Sequence, residues 1–267
     1  MSEEQKELYP VDLVRLYFGD DCKISDNIII HQPSIQEIVD YGENEFWSFV
    51  TMFCSNPTSM RLMLWNNGID WNKITEFQLF QMLLPVFTPQ STSILFGDLD
   101  FTKFRGFEIK KEETDEEGNP LTEVVLINIE NPSIIITEEI YYKIINQLRS
   151  MFDYHPKVER ARDKFTKEML IEDDQLQIRN AKRMKAIKPT YDSFLLPLLS
   201  FALNHPGFKY KKDELRNVKF FEFMDSIKRL QEIESTIALL HGMYFGMVNF
   251  KENPSLKKDL NLLKELY

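Results

Sequence analysis

Apolar positions recur at helical spacing over most of this chain, and the exceptions cluster in its first half. Cys22-Lys23-Ile24 and Ile28-Ile29-Ile30-His31 are two short β-prone runs around Asp26-Asn27, which predicts a hairpin. Pro33 stops the second run. Ser34-Ile35-Gln36-Glu37 then has the form of a capping box, with Ser34 as N-cap and Glu37 reaching back. Ile35, Ile38, Val39, Phe46, Phe49, Val50 and Phe53 share one helical face, predicting a first long helix that Asn56-Pro57 ends. A short helix closes at Asn67-Gly68, and Thr75-Glu76-Phe77-Gln78 opens another that Pro85 curtails.

Between Ile94 and Ile136 the period shortens. Phe107 to Glu113 and Glu123 to Glu130 are β-prone, and Asp115-Glu116-Glu117-Gly118-Asn119-Pro120 joins them, so a long hairpin with an acidic tip is expected. Ile134-Ile135-Ile136 reads as a third strand, and Thr137 as the cap of a helix running to about Phe152. After Tyr154-His155-Pro156, Lys157 to Lys188 holds ten Lys or Arg against six Asp or Glu, the pattern of an exposed helix with i,i+4 pairs. An apolar helix follows around Phe194 to Asn204, and His205-Pro206-Gly207 breaks it. The longest periodic run is Phe223, Ile227, Leu230, Ile233, Ile237, Leu240 and Tyr244. Asn253-Pro254 opens an expected last helix with Leu256, Leu260, Leu263 and Tyr267 on one face.

These elements predict a mainly α protein with a minor β component (α+β). Residues 1–155 form an N-terminal α+β region with two hairpins, and residues 156–267 a C-terminal helical region, a bundle built on the Phe223 to Tyr244 helix.

Composition narrows the function classes. Of 267 residues, 43% are hydrophobic, enough to bury a sizeable core. The net charge of −10 argues against a chain that coats nucleic acid. The nine glycines are roughly half the usual share, which weakens any reading that needs phosphate-cradling loops or nucleophile elbows. Cys22 and Cys54 make neither a disulfide framework nor a zinc knuckle, and are expected as small buried hydrophobes in a reducing compartment. The acidic start MSEEQKELYP is unlike a signal or transit peptide, and the most apolar stretch, Phe194 to Leu203, is far shorter than the roughly 20 residues that span a bilayer. A soluble intracellular protein without membrane contact is expected.

Candidate chemistry is sparse. His31, His155, His205 and His241 include no i,i+4 pair, so no zincin motif exists, and no metal or cofactor is expected. Asp98-Leu99-Asp100 has the D-x-D form in which two acids share a divalent cation; an acidic turn before a strand is the plainer reading. The basic stretch from Lys157 to Lys188 holds Phe165 alone among aromatics, too few to stack bases. The first long helix, by contrast, has more large residues than one face requires. Trp47 falls beside the main stripe, so Tyr41, Trp47 and Phe49 are candidates for a partner-binding face. Burial of both sides by neighbours such as Met60 to Trp65 is the alternative.

Several strings resemble proteins encoded among the tail genes of phages and prophages of low-GC Gram-positive bacteria. They are Ile28-Ile29-Ile30-His31-Gln32-Pro33-Ser34-Ile35-Gln36-Glu37-Ile38 with Tyr41-Gly42-Glu43, Asn67-Gly68-Ile69-Asp70-Trp71, Phe96-Gly97-Asp98-Leu99-Asp100-Phe101, Phe223-Met224-Asp225-Ser226-Ile227-Lys228-Arg229-Leu230-Gln231, and Gly242-Met243-Tyr244-Phe245-Gly246. A short hairpin leading into a Pro, Ser, apolar, x, Glu helix start is similar to tail assembly chaperones. That resemblance implies a non-enzymatic phage assembly factor in the cytoplasm of the bacterial host, binding the tape measure protein or another tail protein, with a homo-oligomer as a second option. Alternatives of other classes are a structural virion protein of the tail or connector, a carboxylate-metal enzyme using Asp98 and Asp100, and a host-directed regulator.

Overall fold

The computed structural model describes residues 9–114, 120–187, 193–247, 258 and 260–266. The described residues are mainly helical with a minor share of strand, and both small sheets lie in the N-terminal half, so the α+β expectation holds.

Asp12 caps a short helix, α1 (Leu13–Tyr17), by accepting bonds from the Val14 and Arg15 amides. The hairpin follows as antiparallel β1 (Cys22–Ser25) and β2 (Ile28–Ile30), with Cys22 opposite Ile30. The Ser34–Glu37 capping box opens α2 (Ile35–Tyr41) as expected. One helix was expected from Ile35 to Phe53; two are found, because Gly42 adopts φ +103° and lets α3 (Glu43–Phe53) leave in a new direction. Next come α4 (Arg61–Asn66), closed by Gly68 at φ +72°, and α5 (Glu76–Leu83), opened by a Thr75–Gln78 capping box. Pro85 tightens the end of α5 into a 3₁₀ turn before α6 (Pro89–Phe96).

The second sheet is antiparallel in the order β3 (Phe104–Thr114), β4 (Pro120–Asn128), β5 (Ile135–Ile136). Its acidic tip at 115–119 lies outside the described residues. Thr137 caps α7 (Glu138–Phe152), and Asp153 ends it in the left-handed conformation at φ +51°. The expected charged helix starts later than its composition suggests: residues 154–161 have no regular structure, and α8 is Lys164–Ile187. Then come α9 (Leu195–Asn204), the one-turn α10 (Lys212–Leu215), and α11 (Phe220–Tyr244). The helix expected from Asn253-Pro254 onward is not found among the described residues: Lys258 and Leu260 are in 3₁₀ conformation, and Leu263 is exposed. Asn253, Pro254, Leu256 and Tyr267 lie outside the described residues.

One contiguous buried cluster joins residues from Leu16 to Ile227. Phe53 is its hub, with the rings of Phe49, Phe80, Phe87, Phe96 and Phe101 centred 4.7–5.6 Å away. Burying each such ring contributes about 2 kcal/mol relative to leaving it in water. Backbone bonds stitch the start of α11 to the start of α2: Ile35 N–H donates to Val218 O, Gln36 N–H to Arg216 O, and Phe220 N–H to Pro33 O.

Candidate functional site

α3 absorbs its own aromatic surplus. Trp47 lies 5.0 Å from the Phe46 ring, 4.9 Å from Phe194 at the head of α9, and 5.2 Å from Phe220 at the head of α11. Phe49 is only 6% exposed and packs on Phe53 and Phe87. Tyr41 is half-buried, and its hydroxyl donates to Ser91 O at 3.2 Å. The expected partner face of Tyr41, Trp47 and Phe49 is therefore turned against the chain's own core. For Trp47 the cover comes from Phe152 of α7, Phe194 at the head of α9 and Phe220 of α11, which sequence spacing could not reveal.

Asp98 and Asp100 line an open cleft of about 470 Å³ with Asp26, Asn128 and Glu130. Asp100 is committed locally: its Oδ1 accepts from the Thr102 amide at 2.9 Å and the Thr102 hydroxyl at 2.6 Å, capping a 3₁₀ turn. Glu130 pairs with Lys103 at 2.6 Å, and Asp26 with Lys23 at 2.7 Å. Among the described residues no three His, Cys, Asp or Glu side chains are grouped to hold a metal ion.

His31 and His205 are each hydrogen-bonded through both ring nitrogens. His31 bridges Asp21 (2.9 Å) and Glu37 (3.0 Å), and His205 bonds Glu234 at 2.8 Å while its Nδ1 accepts from Gly207 N–H. His155 sits 3.8 Å from Asp153, and His241 is exposed. Burial pushes the Cys54 thiol up to about 12 and the Cys22 thiol up to about 11, the latter also under nearby aspartates. Both are poor nucleophiles at neutral pH.

A polar groove between α4, α5 and residues 156–161 went unread in the sequence. The Asn56 amide donates to Pro156 O and Lys157 O (3.3 and 3.0 Å). The Thr58 hydroxyl donates to Glu159 O and accepts from Glu159 N–H, both at 3.1 Å. Asn72 donates to Ala161 O at 2.7 Å and accepts from Ala161 N–H at 3.3 Å, as a neighbouring strand would. Arg61 fixes the exit, pairing with Glu159 at 2.7 Å and with Asp174 of α8 at 2.6 Å. Beneath the groove lies fully buried Arg149, which pairs with Glu76 at 3.0 Å and donates to the Cys54 and Ser55 carbonyls.

The remaining candidate is α11. Phe223 and Ile227 are in the core, yet the same stripe continues through Leu230, Ile233 and Leu240, which are half-buried, to Ile237 (46% exposed) and Tyr244 (78% exposed). One flank is occupied: Arg229 donates to Leu262 O and Lys264 O, and Lys264 pairs with Glu232 at 2.8 Å. The stripe itself runs out of the core into solvent. No helix among the described residues is long and apolar enough to cross a membrane. No family model, curated protein or solved structure matches the chain.

Proposed function

We propose that this chain is a non-enzymatic phage assembly factor, most concretely a tail assembly chaperone that holds the tape measure protein along the outer half of α11. The observation that supports this reading is the stripe Leu230, Ile233, Ile237, Leu240, Tyr244, which continues a buried stripe through half-buried Leu230, Ile233 and Leu240 to exposed Ile237 and Tyr244. Exposed apolar area of this kind marks a protein-binding face. An amphipathic helix laid along it would complete a knobs-into-holes seam. The resemblance of several strings to tail-gene proteins is in keeping with this reading. The Asp98–Asp100 enzyme reading has weaker support, because Asp100 already serves as a cap. A virion protein or a host-directed regulator would use the same stripe on another client, so the experiment has to separate them.

Co-expression with the tape measure protein of the same phage should yield a co-purifying complex. Ile237→Asp with Tyr244→Asp should cut capture at least about ten-fold, the equivalent of about 1.4 kcal/mol, with the melting temperature nearly unchanged because both side chains are exposed. Undiminished capture by the double variant, or no complex with the wild-type chain, would end the proposal. Mass spectrometry of purified virions should find no copies of the chain; stoichiometric copies would make it a structural component instead.

A further inference from the structure

α8 has two faces, and the structure accounts for one. Ile171 is buried, Lys167 pairs with Asp70 at 2.7 Å, and Asp174 pairs with Arg61, so this face is docked on α4 and the loop after it. The opposite face reads Phe165, Met169, Glu172, Leu176, Arg179, Arg183 and Ala186, at steps of four and three throughout. Its apolar members Phe165, Met169, Leu176 and Ala186 alternate with Glu172, Arg179 and Arg183, so a helix laid alongside has to meet both kinds of side chain. All seven residues are exposed, Phe165 to the extent of 70%.

The charges on this face are sorted along the helix. Glu172 lies in its first half, with Glu168 on the flank 3.8 Å from Lys164, and Arg179 and Arg183 lie in its second, with Leu176 between them. A parallel partner of the same sequence would set acid on acid and base on base. An antiparallel copy, related by a two-fold axis beside Leu176, sets Glu168 and Glu172 of each chain along Arg179 and Arg183 of the other. Phe165 and Met169 then cover the partner's last turns. The pattern is complementary to itself, as an isologous contact requires. From this we infer that α8 is a dimerisation element, and that its outward face is occupied by α8 of a second copy of this chain, antiparallel to it. The inference stands apart from the α11 reading, which concerns a different helix and a different partner.

The contact mixes a short apolar seam with exposed ion pairs, so the dimer is reversible and weakened by salt. Sedimentation velocity over a concentration series measures it. Two variants isolate the charge pattern: Glu168→Arg with Glu172→Arg, and Arg179→Glu with Arg183→Glu. Each alone should be monomeric at concentrations where the wild-type chain is dimeric, its dissociation constant raised at least ten-fold. Mixed one to one they should form a heterodimer, and the chain with all four reversals should dimerise again. Circular dichroism of each variant checks that the fold is kept, and Leu176→Lys, which leaves the four charges in place, should also give monomer. A wild-type chain that stays monomeric throughout the series would overturn the inference. So would dimers that persist in both charge variants, or variants that fail to pair when mixed.

Discussion

Two side chains show how single residues are settled by neighbours far away in sequence. Trp47 touches Phe152, Phe194 and Phe220, each from a different helix of the later chain, and its buried Nε1 finds no acceptor among the described residues. Trp47→Ala should cost about 3 kcal/mol by leaving a cavity among four rings, whereas Trp47→Phe should cost much less because it keeps a ring and removes the orphaned N–H. Urea unfolding of both variants checks this. An unchanged midpoint in the alanine variant would mean that the indole contributes nothing to the core. Arg149 is the opposite case, a charge taken wholly out of water and held by Glu76 and two carbonyls. Such a group is tolerated only while every partner is present.

Helix starts are where local sequence translated most directly into structure. Both capping boxes, Ser34–Glu37 and Thr75–Gln78, form as their spacing implies, each cap being worth about 1 kcal/mol. Glu37 does more than cap. Burial alone would raise its carboxyl, but bonds from Ser34 and His31 outweigh that and hold it at about 2. Lys219 of the segment before α11 lies 3.7 Å away, so one carboxylate joins the hairpin, α2 and the approach to α11. A carboxyl depressed on folding stabilises above its unfolded value of about 4.3 and loses that contribution as pH falls towards 2. Glu37→Gln should therefore be less stable than the wild type at pH 7, and the gap should close as pH falls from about 4.5 to about 2. A gap that is the same at pH 7 and near pH 2 would assign the carboxylate no such role.

Across the molecule, what could be read from the chain was whatever repeats within a few residues. The hairpins, the caps, the Asn67-Gly68 stop and the long α11 all rest on near neighbours. Gly42 went unread because a glycine within a periodic run looks the same whether the helix continues or turns. The cover on Trp47 went unread for a related reason: an aromatic beside a stripe carries no mark of what packs against it. The α11 stripe was visible as a period, but not the point at which it leaves the core. The groove that holds 156–161 was invisible, since Asn56, Thr58 and Asn72 lie about a hundred or fewer residues from the backbone they grip. That grip has a consequence for how this stretch can vary. Asn56, Thr58 and Asn72 hold only amides and carbonyls, so the identities of Val158 and Arg160 are free to drift while the path of the chain is not. Val158→Ala and Arg160→Ala should each shift stability by no more than about 0.5 kcal/mol. Ala161→Pro removes the N–H that Asn72 accepts, and should cost about 1–3 kcal/mol in the same urea titration. If the three substitutions prove equally mild, the chain is guided there by something other than its backbone.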